Sequence, residues 1–329
     1  MLTSKERVIR AIERRSPDKM PIWIGFDGAE CHQTIVRNIQ KEFDSDIAMT
    51  YCFDPDFKPV APGYSWLGYK SESFGVTLGE VKDNPLKDWE SFDRWSAALP
   101  DYSKASCYDC ARDCVKNNPD KYVVGCLFQL MEEIINLRGY ENYMIDLFDE
   151  EENLVKLIDR IYELANHMID GYADAGVDAV ISWEDWGLQD SPMMSFGMWE
   201  HYFRKKMTEF VEHIHARGMK YILHSCGHIT YLMDVFAEMK IDVLQLDQQM
   251  NMGLDTLQKW QDKFCFSCPV DIQHSVGMTK EQTEQYVALM AEKLGGKNGG
   301  FIFKPYPQPA AINMTEEKLR HELSAASKL

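Results

Sequence analysis

Residues 200–226 read EHYFRKKMTEFVEHIHARGMKYILHSC. The first part, 200–217, has apolar residues at helical spacing. It leads into a short apolar run, 220–226, of the kind that forms a buried strand. The same grammar recurs along the chain. Further apolar runs lie at 20–26 (MPIWIGF), 47–53 (IAMTYCF), 122–128 (YVVGCLF), 177–183 (VDAVISW), 242–248 (DVLQLDQ), 264–270 (FCFSCPV) and 300–306 (GFIFKPY). Each later run follows a helical pattern, such as 280–294. Continuous apolar strands alternating with helices indicate a parallel sheet covered on both faces. Eight of them predict an α/β fold, a single (β/α)8 TIM barrel. No repeat, low-complexity segment or linker interrupts the chain, so residues 1–329 read as one domain. The stretch at about 58–120, rich in Pro, Gly and Trp, reads as an insertion after the second strand.

The chain has 329 residues, 45% of them hydrophobic and 26% charged, an ordinary globular balance. Its net charge of −17 disfavours nucleic acid and anionic membrane as partners. No apolar run approaches the roughly 18 residues of a membrane span. The start, MLTSKERVIRAIERR, reads as a charged helix and not as a signal peptide. The nine cysteines are then expected to be reduced thiols of a cytoplasmic protein. With eighteen methionines they hint at an anaerobic cell.

A barrel of this type places its active site at the C-terminal ends of the strands. There the sequence supplies Asp27, Trp183-Glu184-Asp185-Trp186 with Gln189, His224-Ser225-Cys226, Asp247-Gln248, Asp271 with Gln273 and His274, and Lys304 with Tyr306. That density of carboxylates and imidazoles points to an enzyme without naming a reaction. His224 and Cys226, two apart on a strand, face the same side and suit zinc, with Asp247 one strand on as a third ligand. The bland alternative is a buried histidine beside an inert cysteine. Cys107, Cys110 and Cys114 have the spacing of a metal set, but also of one helix face, and a buried cysteine face is the preferred reading. Cys265 and Cys268 should face opposite sides of a strand. Trp183 and Trp186 flank two acids and could wall a flat ligand, whereas Trp199 reads as core. The chain contains no phosphate-binding glycine loop, no hydrolase elbow and no Asp-x-His-x-x-Gly cobalamin signature.

Six stretches together resemble the uroporphyrinogen decarboxylase superfamily, and within it the corrinoid-dependent methyltransferases of the O-demethylase type. They are TSKERVIRAIERRSPDKMPIWIG, LRGYENYMIDLFDEEENLVKLIDRI, GVDAVISWEDWGLQDSPMMS, HARGMKYILHSCGHI, VDIQHSVG and GGFIFKPYPQP. The resemblance implies the (β/α)8 barrel and a site at the strand ends. The decarboxylase itself carries Arg-Gln-Ala-Gly-Arg near its start, where this chain has the arginine-free IGFDGAECH, so uroporphyrinogen is not an expected substrate. Members that methylate thiols hold zinc by His-x-Cys, an acid one strand later and a late Cys. His224, Cys226 and Asp247 match the first three, and Tyr306 stands where the late Cys would be. With one thiolate the metal keeps more positive charge, which suits the branch where the methyl donor binds.

The resemblance therefore implies transfer of a methyl group from a small donor, such as a methoxylated aromatic, to the cobalt(I) corrinoid of a separate protein. Glu184, Asp185, His224 and Tyr306 become candidate catalytic groups. Asp27, Trp183, Trp186, Gln189, Gln248, Gln273 and His274 become candidate substrate contacts. A homodimer is allowed. The rivals are transfer from a methylated corrinoid to tetrahydrofolate or a thiol, decarboxylation of a smaller substrate, and a non-catalytic barrel.

Overall fold

The computed structural model describes residues 2–25, 34–72, 80–149 and 151–329. Seven strands form one parallel sheet in the order β1 (Ile47–Thr50), β4 (Tyr122–Cys126), β5 (Ala179–Glu184), β6 (Lys220–Ser225), β7 (Val243–Gln245), β8 (Cys265–Cys268) and β9 (Phe301–Phe303). A separate antiparallel hairpin pairs β2 (Lys70–Glu72) with β3 (Glu80–Asp83). Seven of the eight apolar runs are thus strands. The run at 20–26 behaves differently: among its described residues only Ile22 makes a ladder bridge, to Phe303. Pro21 has no N–H to give. On the other side the Asp46 carboxylate takes the Ile22 N–H (2.9 Å) and the Ser45 hydroxyl takes the Ile24 N–H (3.0 Å), in place of backbone carbonyls. The segment still touches both edges of the sheet, because Trp23 N–H donates to Phe303 O and Asp46 N–H donates to Ile22 O, each at 2.8 Å.

The strands are mostly apolar because both faces are buried. One face builds an inner core from Trp23, Met49, Val124, Cys126, Ile181, Ile222, Val243, Cys265 and Ile302. The other packs against helices such as Glu151–Asp174, Lys205–Ala216 and Lys280–Gly295, through Ile161, Phe210 and Val287. Each large side chain buried this way stabilises by roughly 1.5–3 kcal/mol. Helix α1 (Ser4–Ile12), opened by a Thr3/Glu6 capping box, inserts Val8, Ala11 and Ile12 into the inner core. It sits at the N-terminal ends of the strands, where Arg7 pairs with Asp46 just before β1 and Lys5 pairs with Asp178 just before β5.

From the 58–120 stretch, Leu67, Leu86, Phe92 and Trp95 join the outer core. The cysteines there do not share one buried face. Helix Asp109–Asn117 begins after Cys107, which lies in a 3-10 turn, so the three residues are out of helical phase and Cys110 is exposed. Cys265 faces the inner core and Cys268 the outer, as alternation requires. Among the described residues, no helix is long and apolar enough to cross a membrane.

Candidate active site

The loops that leave β5 and β6 cross in contact. Trp186 N–H donates to the Ser225 hydroxyl (3.2 Å), and His228 N–H donates to Leu188 O (2.8 Å). Gly227 has a left-handed φ of 76°, and a Cβ there would lie 2.1 Å from Gly187 O. Only glycine meets both demands. The crossing brings Asp185 over β6, where its Oδ1 accepts the Cys226 N–H at 3.2 Å.

The result is a three-donor cluster. Asp185 Oδ1, His224 Nε2 and Cys226 Sγ all lie within 4.8 Å of one another. Nε2 is 3.4 Å from Sγ and 3.8 Å from Oδ1. Ligand bonds of 2.0–2.3 Å set donors about 3.3–3.8 Å apart in a tetrahedral zinc site. The histidine is also oriented for the task. Its Nδ1–H donates to Gln245 Oε1, and Gln245 Nε2 donates to Asp247 Oδ1 at 2.6 Å. That leaves the Nε2 lone pair directed at the cluster. The acid brought to the donors is therefore Asp185. Asp247, the ligand expected from strand position, instead stands behind His224 and holds it through Gln245. Residues and zinc fit, with three protein ligands and one open position, the pattern of catalytic zinc sites. Burial pushes the Cys226 thiol well above its usual range, and Asp185 and Asp247 add to this. A bound cation would remove that penalty.

Around the cluster the strand-end residues divide. Glu184 is buried, and its two oxygens accept Leu130 N–H (3.1 Å) and Met131 N–H (3.0 Å). It anchors the first turn of helix Leu130–Arg138, and burial pushes its carboxyl up to about 8. That turn carries Glu132, which sequence reading missed. Glu132 is pushed up to about 7, by burial first and then by Asp185. Two acids at a helix start read simply as dipole partners, so no signal singled it out. Tyr306 is half-buried and pushed up to about 12, by burial, then by Asp247, Cys226 and Asp185.

Trp183 and Trp186 part company. Trp183 packs on the inner core, whereas Trp186 is fully buried in the outer core against Trp199 and Phe203 and lines no mouth. Trp199 is core, as expected. Gln189 and Gln273 pair with each other at the exposed rim (2.7 and 3.0 Å), Gln248 accepts the Gly227 N–H (2.9 Å), and His274 bonds Asp271 (2.9 Å). The three glutamines tie loops together, and His274 bonds within its own loop. Asp27 lies outside the described residues. Over the ends of β1 and β4 a cavity of about 220 Å³ is lined by rings including Tyr51, Trp66, Tyr102 and Phe128.

The sequence profile of uroporphyrinogen decarboxylase matches residues 111–305, more than half of the chain. The chain belongs to the uroporphyrinogen decarboxylase family. The matched span holds Glu132, Asp185, His224, Cys226 and Asp247. Among solved structures, the fold is similar to a methyltransferase from Methanosarcina mazei, with a TM-score of 0.68 at 13% identity, covering 100% of this chain and 99% of that one. A D-psicose 3-epimerase from Clostridium cellulolyticum H10 aligns over 92% and 93% of the two chains at 10% identity, with a TM-score of 0.45. No curated protein matches the sequence significantly.

Proposed function

We propose that this family member is a methyltransferase that moves a methyl group from a small donor, a methoxylated aromatic foremost, to the cobalt(I) corrinoid of a separate protein. One observation carries the reading: an oriented His224–Cys226–Asp185 donor set, at the strand ends of a chain whose whole length follows the fold of a methyltransferase. Zinc held by these residues would supply positive charge as a Lewis acid, and a cobalt(I) corrinoid docked from the partner would supply the electron pair for the methyl carbon. The C–O bond breaks with its pair left on oxygen, and a proton must then reach that oxygen. At this mouth Glu132, pushed up to about 7, and the Tyr306 hydroxyl can each carry a proton near neutral pH. Glu184 positions the helix that carries Glu132. Trp183 and the aromatic cavity offer flat apolar surface for the donor ring.

We also read the sheet as closing into a (β/α)8 barrel through segment 21–24, and the chain as one domain of a cytoplasmic protein, with 58–120 inserted. The bonds of that segment to both sheet edges support closure. The arginine-free stretch 24–32 argues against uroporphyrinogen as substrate.

The test uses a reduced corrinoid protein, with its absorbance as readout and methoxylated aromatics as donors. Stoichiometric zinc and donor-dependent methylation are expected in the wild type. His224→Ala should lose the zinc, and Asp185→Asn should slow methylation by about 10²–10³. If no methoxy, methylamine or betaine donor methylates the corrinoid, the reading fails.

A further inference from the structure

Lys304 follows the last strand, β9, two residues beyond the inward-facing Ile302, so it points into the same interior. It is only 2% exposed. Its ammonium lies over the Trp23 ring, 5.3 Å from the centroid. Among the described residues no carboxylate is within ion-pairing range of it. Burial works against its charge, and the Asp247 carboxylate favours it only at longer range. Two more donors are stranded in the same interior. Trp23 Nε1 and Ser267 Oγ are fully buried and, among the described residues, have no hydrogen-bond partner. Ser267 lies two residues beyond the inward-facing Cys265 on β8, the strand beside β9. Three donor groups thus face one interior with no acceptor assigned to them. A buried ammonium without a counter-anion is costly, and buried polar groups without partners are rare in folded proteins.

We propose that Lys304 is the anion-binding residue of this mouth, and that the molecule it holds carries a single carboxylate. The argument takes the molecule to be the methyl donor, and in that respect it rests on the function proposed above. One cation matches one carboxylate. Asp185, Asp247 and Glu132 at the same mouth would repel a substrate with several, which separates this substrate class from porphyrinogens. The carboxylate docks on the Lys304 ammonium with Trp23 beneath it. The methyl-bearing end is then free to reach the His224–Cys226–Asp185 cluster.

The experiment measures equilibrium binding by the zinc-loaded protein. The probes are matched carboxylate and carboxamide pairs, beginning with 4-methoxybenzoate and 4-methoxybenzamide and extending to aliphatic pairs. The wild type should prefer a carboxylate over its amide by about 10–100-fold, the range of a charge-assisted hydrogen bond. Lys304→Met should erase that preference, leave amide binding and zinc content in place, and not lower the thermal midpoint. Lys304→Arg should restore part of it. If no carboxylate binds better than its amide, or if the preference survives in Lys304→Met, the proposal is overturned. Methyl transfer is scored separately. A carboxylate held by Lys304 that never methylates the corrinoid refutes the transferase and leaves the anion site standing. An uncharged ether demethylated with the same kcat/KM by wild type and Lys304→Met, together with no carboxylate preference in binding, does the reverse.

Discussion

The two ends of one sheet are built to opposite rules. At the N-terminal end, charges come with partners. Asp46, Asp178 and Asp242 each stand just before a strand, β1, β5 and β7, and each accepts a backbone N–H from a neighbouring segment: Ile22, Val123 and Tyr221. Each also meets a cation, Arg7, Lys5 or Lys220. At the C-terminal end, Lys304 has no ion pair among the described residues, Glu132 is pushed towards neutrality, and Cys226 sits between two acids. The same strands carry both ends. The contrast therefore separates what holds the sheet together from what is kept in readiness for another molecule.

The strongest way to break the contrast is at the closed end. Arg7→Ala leaves Asp46 buried without its cation. Loss of one partner of a buried pair costs about 3–5 kcal/mol. Denaturant unfolding should show that loss, while the protein that remains folded keeps its zinc content. A loss of zinc from the folded fraction would show that the two ends are coupled.

At the open end, Gln245→Leu removes the acceptor that fixes His224 and the donor that holds Asp247. Zinc affinity, measured by competition with a chelator, should fall by about 10–100-fold with little change in stability. Unchanged affinity would mean that Asp185 and Cys226 alone set the site.

The subtlest contrast is in pH. Hydrogen bonds from His215, Lys220 and the Tyr221 N–H outweigh burial and hold the Asp242 carboxyl below its usual range. A depressed folded-state value gives stability that is present at neutral pH and lost on acidification through that value. Glu132 is the reverse: its folded value, about 7, lies above the unfolded one, so the folded chain holds the extra proton. Its contribution is favourable at low pH and declines as pH rises from about 4.5 to 7. In metal-free protein, Asp242→Asn should be less stable than wild type at pH 7, with the gap closing in acid. Glu132→Gln should match wild type at pH 4 and exceed it at pH 8. Melting curves across that range with gaps of the same sign would contradict the assignment.

Much of this was legible in the chain. Seven strand runs stood out because burial on both faces keeps them mostly apolar, with polar residues gathered towards their C-terminal ends. The eighth pairs only in part: Pro21 and the side chains of Ser45 and Asp46 replace ladder bonds there, a substitution that hydropathy does not register. His224 and Cys226 were legible because strand alternation alone puts them on one side. The choice between Asp185 and Asp247 was not, since it depends on where the loop after β5 crosses β6. Glu132 was hidden for a similar reason, because a charged residue near an element's end usually faces water, whereas Lys304 was legible at the last strand end and only its lack of a partner was not. The stretch beginning LRGYENY does structural work: Arg138 forms a buried bidentate pair with Asp146 and lies 4.0 Å over Trp89.

The contact between Gly187 and Gly227 has a consequence for redesign. Two loops that meet backbone to backbone, with no room for a methyl group between them, behave as one rigid strap. Grafting a longer loop after β5 would drag Cys226 along with Asp185. New specificities are better sought from Phe57 and Trp66, which border the cavity over β1 and β4 and take no part in the strap.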